Sequence, residues 1–165
     1  MLSEYFHIQL QPNTELLIPL EHTGGAITLP VEQICPIPGI PPAVLGVVNQ
    51  RGKLLWVIQL SSLLGLGQSD TSLRAQYNLT LLVLSASSSR TTGEQESRQV
   101  GCVVSTLKEI IFLDSKQFKP VPAKSPIFDS VLSGMVQIER SLVSVLNVDA
   151  VFTALSNLDT SLVSS

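Results

Sequence analysis

Apolar and polar residues alternate in short runs along most of this chain. Phe6, Ile8 and Leu10 alternate with polar neighbours, and Leu16, Ile18 and Leu20 do the same a few positions on. A period of two over so few residues predicts two short strands. His22 to Gly25 reads as a turn, and Ala26 to Leu29 as a strand stopped by Pro30. Pro36, Pro38, Pro41 and Pro42 then require an extended loop, because each proline lacks an amide donor and restricts the residue before it. The isoleucines between them read as packing residues; the sharper alternative is a proline-rich ligand for another domain.

The run LGVVNQRGKLLWVIQL, Leu45 to Leu60, predicts a hairpin that turns through Asn49-Gln50-Arg51-Gly52. In its second arm Leu54, Trp56, Ile58 and Leu60 share one face, while Leu55, Val57 and Gln59 share the other. Both faces are largely apolar, whereas a sheet backed by solvent shows one polar face. This strand is therefore expected to be covered on both sides. Ser61 to Leu66 reads as a short helical turn closed by Gly65.

Further strands are expected at Leu79 to Leu84, Val100 to Val104 and Ile110 to Leu113, then at Met135 to Ile138 and Leu142 to Val148. Between the first two, Ser85 to Gln99 carries no large apolar residue and is expected to be a dispensable surface loop. Pro120, Pro122 and Pro126 mark another loop, and Asp149 to Leu158 predicts a terminal helix capped by Asp149.

A repeat lies within this succession. Sliding the chain by 88 positions sets Gly46 on Gly134, Val48 on Val136, Leu54 on Leu142, Val57 on Val145 and Gln59 on Asn147. Upstream, Val31-Glu32-Gln33-Ile34 matches Leu107-Lys108-Glu109-Ile110 in spacing, and each is followed by a proline-bearing loop. One unit of this size buries its strands poorly alone, so two small barrels sharing a core are the expected arrangement. The expected organisation is all-β: a single domain over residues 1–165, with sub-barrels at about 15–66 and 77–148 and a helix at about 149–158.

Composition narrows what such a fold can do. Of the 165 residues 44% are hydrophobic and 14% charged, which suits a packed globule. The net charge of −3 and the scattering of ten basic residues offer no cationic stripe for a phosphate backbone, so nucleic acid is not an expected partner. The start Met1 to Leu10, with Glu4 and His7, does not read as a secretory signal, and the longest uncharged apolar stretch is broken by prolines. A cytoplasmic protein without membrane insertion is expected. Cys35, Cys102, His7 and His22 form no metal-ligand pattern, so neither a metal nor another cofactor is expected. Gly65 to Gly67 lacks the third glycine of a dinucleotide loop, and no serine sits in a G-x-S-x-G elbow, which argues against catalysis.

The order V-x-x-I, proline-rich loop, G-V-V-N-Q-R-G, then an apolar strand ending in L-S-S-L-L-G-L resembles the CheW family of chemotaxis coupling proteins from about Glu15 to Asp149. The resemblance implies two five-stranded β-barrels of SH3/OB-like, CheW-like form over a shared hydrophobic core. It also implies a scaffold without catalysis that links the regulatory domain of a CheA-type histidine kinase to the cytoplasmic tip of methyl-accepting chemotaxis receptors. The family's N-L-R-G reads Asn49-Gln50-Arg51-Gly52 here, and its P-V-I-D-L reads Trp56-Val57-Ile58-Gln59-Leu60. Acidic family positions have become Gln59, Ser105, Asn147 and Gln33. Amides and hydroxyls at strand ends still accept backbone hydrogen bonds, so these swaps are expected to leave the fold and to bear on partner choice.

By the same resemblance the partner-facing set is Val31, Gln33, Ile34, Gly46, Asn49, Arg51, Gly52 and Trp56. Arg51 is either a structural tie to Glu32 or to a carbonyl, or an always-charged anchor for a partner. Gly46 suits a close backbone approach. Val31 and Ile34 suit either core or a groove between the barrels, and Trp56 either core or an interface hot spot. The rival function is a small-molecule or oligonucleotide-binding double barrel, which requires clustered aromatics beside cations.

Overall fold

The computed structural model describes residues 2–11, 14–64, 78–86, 98–121 and 130–163, with side chains to 156. Ten strands account for most of them: β1 (Leu2–Gln11), β2 (Thr14–Pro19), β3 (Thr23–Pro30), β4 (Val44–Gln50), β5 (Lys53–Ile58), β6 (Asn78–Ser85), β7 (Gln99–Val104), β8 (Thr106–Asp114), β9 (Leu132–Ile138) and β10 (Ser141–Leu146). Helix α1 (Leu60–Leu63) follows β5, and helix α2 (Val148–Val163) follows β10. The strands form two five-stranded sheets, ordered β8-β1-β2-β10-β9 and β3-β6-β7-β5-β4.

Each sheet closes on itself through one residue beyond its edge strand. After β3 a 3₁₀ turn at Val31–Gln33 brings Cys35 against Val47 of β4, with backbone bonds of 2.8 and 3.0 Å. After β8 a 3₁₀ turn at Ser115–Gln117 brings Lys119 against Met135 of β9, with bonds of 2.7 and 2.9 Å. The result is a pair of small, partly open barrels, here called the Arg51 barrel and the Glu139 barrel after the residues at their hairpin tips.

The barrels have separate interiors and a common wall. Leu29, Val48, Leu55, Val57, Leu79 and Leu81 fill the Arg51 barrel, and Tyr5, Leu17, Leu113, Val136, Val143 and Val145 fill the Glu139 barrel. Between them lies a larger apolar layer that includes Ile8, Leu16, Ile18, Ile58, Leu82, Leu84, Leu146 and Phe152. Strands β2, β6, β7 and β10 thus bury both faces, and β5 does so only at its end, where Val57 faces its own barrel and Ile58 the shared layer. Cys102 lies in this layer, and burial pushes its thiol up to about 12 despite the backbone of Leu60; Cys35 is exposed.

The 88-position shift carries Val44–Gln50 onto Leu132–Ile138, Lys53–Ile58 onto Ser141–Leu146, and Leu60 onto Val148, where each helix starts. Gln59 and Asn147 hold matching places: their amides donate at 2.7 Å to the Ala43 and Val131 carbonyls. The upstream match does not hold. Val31–Gln33 is a 3₁₀ turn beyond β3, whereas Leu107–Ile110 lies inside β8. The counterpart of that turn is Ser115–Gln117.

The sheets also divide the chain at other places than 15–66 and 77–148. Strands β1 and β2 pair with β8 and β10, and strands β6 and β7 pair with β3 and β5. Each half therefore lends a hairpin to the barrel of the other. The terminal helix is capped two residues earlier than Asp149 suggests, since Asn147 Oδ1 accepts the Ala150 amide at 3.1 Å. The expected loop Ser85–Gln99 falls largely on residues 87–97, and Pro122 and Pro126 on residues 122–129; both segments lie outside the described residues.

Gly46 makes the closure of the Arg51 barrel possible. Its φ of 151° and a register shift between Val44 and Gly46 bring the strand so close to Cys35 that a Cβ would stand 2.2 Å from the Cys35 carbonyl oxygen. At Gly134 the same test gives 3.1 Å to the Lys119 oxygen, and the backbone there is ordinary. Gly46→Ala is expected to cost about 3 kcal/mol or more of unfolding free energy, and Gly134→Ala about 1 kcal/mol. Denaturant unfolding of the two variants checks this; equal costs would contradict it.

Candidate functional site

The hairpin β4–β5 carries most of the candidate residues. Its last pair is Gln50 with Lys53, so the four-residue turn is Gln50-Arg51-Gly52-Lys53, one residue later than the sequence pattern suggested, with Arg51-Gly52 as its loop. Both residues have positive φ, 54° and 85°, which is the type I′ geometry that matches strand twist. A non-glycine residue in this region costs roughly 1 kcal/mol, and Asn49 offsets it by accepting the Gly52 amide on Oδ1 at 2.9 Å. Asn49 and Gly52 thus hold the turn, and Arg51 is displayed by it.

Arg51 is exposed and makes no hydrogen bond or ion pair with any described residue, so the tie to Glu32 is absent. The neighbouring Lys53 is likewise exposed and without such a partner. Leu54 beside them is 70% exposed, contrary to the expectation that it is covered. Near the tip the second barrel no longer backs β5, so only Ile58 and Leu60 of that face reach the shared layer.

The remaining candidates fall into two other places. Val31 and Ile34 are half-buried and pack on the interior of the Arg51 barrel, while Gln33 between them is exposed. With Gly46 they form the closing seam, about 16 Å along β4 from Arg51 at ~3.3 Å per residue. Trp56 is 41% exposed and turns outward from β5. It lines a groove of about 360 Å³ with Ile40, Pro41, Val44, Phe152 and Leu155. Of the proline loop, Ile40 and Pro41 reach this groove. Arg98 caps the groove, its guanidinium 5.3 Å from the Phe152 ring and donating to Ser156 Oγ at 2.8 Å.

One polar cluster gave no signal in the sequence pattern. His7 Nε2 lies 2.6 Å from Glu15 Oε1, and Lys108 Nζ donates to the same oxygen at 3.3 Å. His7 is buried, and its Nδ1 has no hydrogen-bond partner among the described residues. Desolvation raises the Glu15 carboxyl, but the hydrogen bonds from His7 and Lys108 and the charge of Lys108 outweigh it and hold the group below its ordinary value. The three residues come from β1, β2 and β8, which only the exchanged hairpin brings together. Among the described residues no group of His, Cys, Asp or Glu is arranged to hold a metal ion, and no helix is long and apolar enough to cross a membrane.

The CheW-like domain model matches residues 4–156 of this chain. A chemotaxis protein CheW of Rhizobium meliloti (strain 1021) is 27% identical over 118 residues, covering 71% of this chain and 68% of that protein. The crystal structure of the scaffolding protein TtCheW from Thermoanaerobacter tengcongensis superposes with a TM-score of 0.68 at 18% identity, over 88% of this chain and 89% of that one.

The Glu15 cluster has a definite pH signature. A carboxyl whose folded pKa is depressed contributes stability above its unfolded pKa and loses it as the pH falls through the folded value. Glu15→Gln is therefore expected to lower unfolding free energy by about 1 kcal/mol at pH 7. The difference from the native chain should vanish in acid well below the ordinary glutamate range. Unfolding free energy measured across that range checks it; a difference that persists unchanged in acid contradicts it.

Proposed function

This chain belongs to the CheW-like domain family, and on that premise we propose that it is a cytoplasmic, non-enzymatic adaptor holding a CheA-type histidine kinase against methyl-accepting receptors in chemotaxis or a related motility response. Members of this family are scaffolds, and binding in register is the whole of the proposed activity. The relative from Rhizobium meliloti and the scaffolding protein from Thermoanaerobacter tengcongensis support this reading. The rival small-molecule or oligonucleotide binder gains nothing from them.

The observation that carries the reading on this molecule is the state of Arg51. A planar, permanently charged side chain stands on a two-residue turn, with no ion-pair partner among the described residues and the exposed Leu54 beside it. Such a group loses little freedom on docking because the turn beneath it is already fixed by Asn49 and Gly52. Interfaces enrich arginine for this purpose. We assign the hairpin tip (Asn49, Arg51, Gly52), the seam (Val31, Gln33, Ile34, Gly46) and Trp56 to a partner-facing surface, with Asn49, Gly46 and Gly52 acting through the backbone they shape.

Gln33 stands at the acidic position of the family's V-x-E-I, and with the neighbouring Glu32 also unpaired to it, Arg51 has its whole charge available to a partner. Arg51→Ala is expected to leave unfolding free energy within about 1 kcal/mol of the native chain and to weaken co-sedimentation with receptor membranes and kinase by roughly 2 kcal/mol or more. Thermal melting paired with the sedimentation assay reads both. A collapse of stability with normal binding by the surviving folded fraction would make Arg51 a structural tie.

A further inference from the structure

The two barrels are built alike, yet their mouths are furnished differently. Parallel pairing of β10 with β2 (Ser144 with Leu16) and of β5 with β7 (Trp56 with Val100) sets Leu16 on Val100, and hence Glu15 on Gln99. Antiparallel pairing extends the correspondence: Gln9 faces Glu15 as Ser85 faces Gln99, so His7 falls on Val83. A register shift occurs at the same point of both edge strands, between Phe6 and Ile8 against β8 and between Thr23 and Ala26 in β3, which sets Lys108 on Gly24.

In the Glu139 barrel these positions hold a carboxylate, its histidine and its lysine in one cluster. In the Arg51 barrel they hold Gln99, Val83 and Gly24, three groups without charge, and all three line an open cavity of about 1030 Å³. The hairpin adds Arg51 and Lys53, the only charged residues among the described lining. Both are cations, and neither has a partner among the described residues. The Glu139 barrel places Glu139 and Ser141 at those two hairpin positions.

We propose that the mouth of the Arg51 barrel is a carboxylate seat: an Asp or Glu side chain on a loop of a partner protein enters it and pairs with Arg51 and Lys53, supplying from outside what Glu15 supplies from within in the other barrel. Leu54, exposed at the rim, fits an apolar neighbour of that acid on the same loop, which a free small anion does not offer. The proposal deepens the adaptor reading and rests on it for the identity of the partner, but the seat itself is testable on the isolated chain.

The test therefore has two arms. Gln99→Glu places a carboxylate in the mouth from within, and its carboxyl is followed by NMR titration. The seat predicts titration below the ordinary glutamate value, returning toward that value when Arg51→Gln is added. Titration at or above the ordinary value, unmoved by Arg51→Gln, overturns the proposal. In the second arm Gln99→Glu, Arg51→Glu and Lys53→Glu, each confirmed folded by melting, are sedimented with receptor membranes and kinase. Each should weaken binding tenfold or more, and the native interaction should fall steeply with added salt. Native-like binding by Gln99→Glu overturns the proposal. If the native chain binds neither partner, the adaptor reading fails while the titration still decides the seat.

Discussion

The apolar layer between the two barrels is the constraint on which the remaining structure depends. A five-stranded barrel of this size encloses only a handful of side chains, here Leu29, Val48, Leu55, Val57, Leu79 and Leu81 in one case. That is too little to hold a chain against its conformational entropy. The larger share of burial comes from the opposite faces of the same strands, where Ile58, Leu82, Leu84, Leu16, Ile18 and Phe152 meet in one layer. Burying both faces removes the freedom to slip in register, because a one-residue shift exchanges the two faces. The exchanged hairpins reinforce this: β1 and β2 complete one barrel, and β6 and β7 the other, so neither barrel persists without the other half of the chain.

A duplicated frame under that constraint diverges where burial ends. The strands, the bridges at Cys35 and Lys119, and the helix starts at Leu60 and Val148 coincide between the halves. Even the hairpin tips share a left-handed residue, Arg51 at 54° and Glu139 at 53°. The charges there are opposite, and the two mouths follow suit, one occupied by its own carboxylate and the other carrying the cations Arg51 and Lys53 on an otherwise uncharged described lining. Function in an adaptor resides in such differences, since the frame is common to both ends. Gln59 and Asn147 illustrate the converse: their main-chain N–H groups donate matching bonds to Ala43 and Val131, so the frame is the same at both places.

Much of this was legible in the sequence, for reasons that are local. The apolar run Leu54–Leu60 announces a strand, covered on both sides only toward Ile58, and the 88-residue repeat survives because hairpin geometry ties glycine, turn and apolar positions together. What escaped depends on pairing between distant segments. Alternation does not say which strands become neighbours, so the hairpin exchange and the meeting of His7, Glu15 and Lys108 were hidden. The match of Val31–Ile34 with Leu107–Ile110 compared a turn with a strand, because spacing alone does not distinguish them. The exposure of Leu54 and Trp56 depends on where the second barrel stops, which no periodicity records. The candidate residues were drawn from one stretch of chain and sit in three places on the surface: a seam, a tip and a groove.

The account holds that this chain works by holding a kinase and a receptor together, and a three-component sedimentation measures that directly. A CheA-type kinase is spun with receptor-containing membranes in the presence and absence of the native chain. The account predicts that kinase enters the pellet in proportion to added chain up to saturation, with the chain itself in the same pellet. Kinase recovery that does not change on adding the chain, or a chain that pellets with receptors while leaving the kinase in solution, would contradict it.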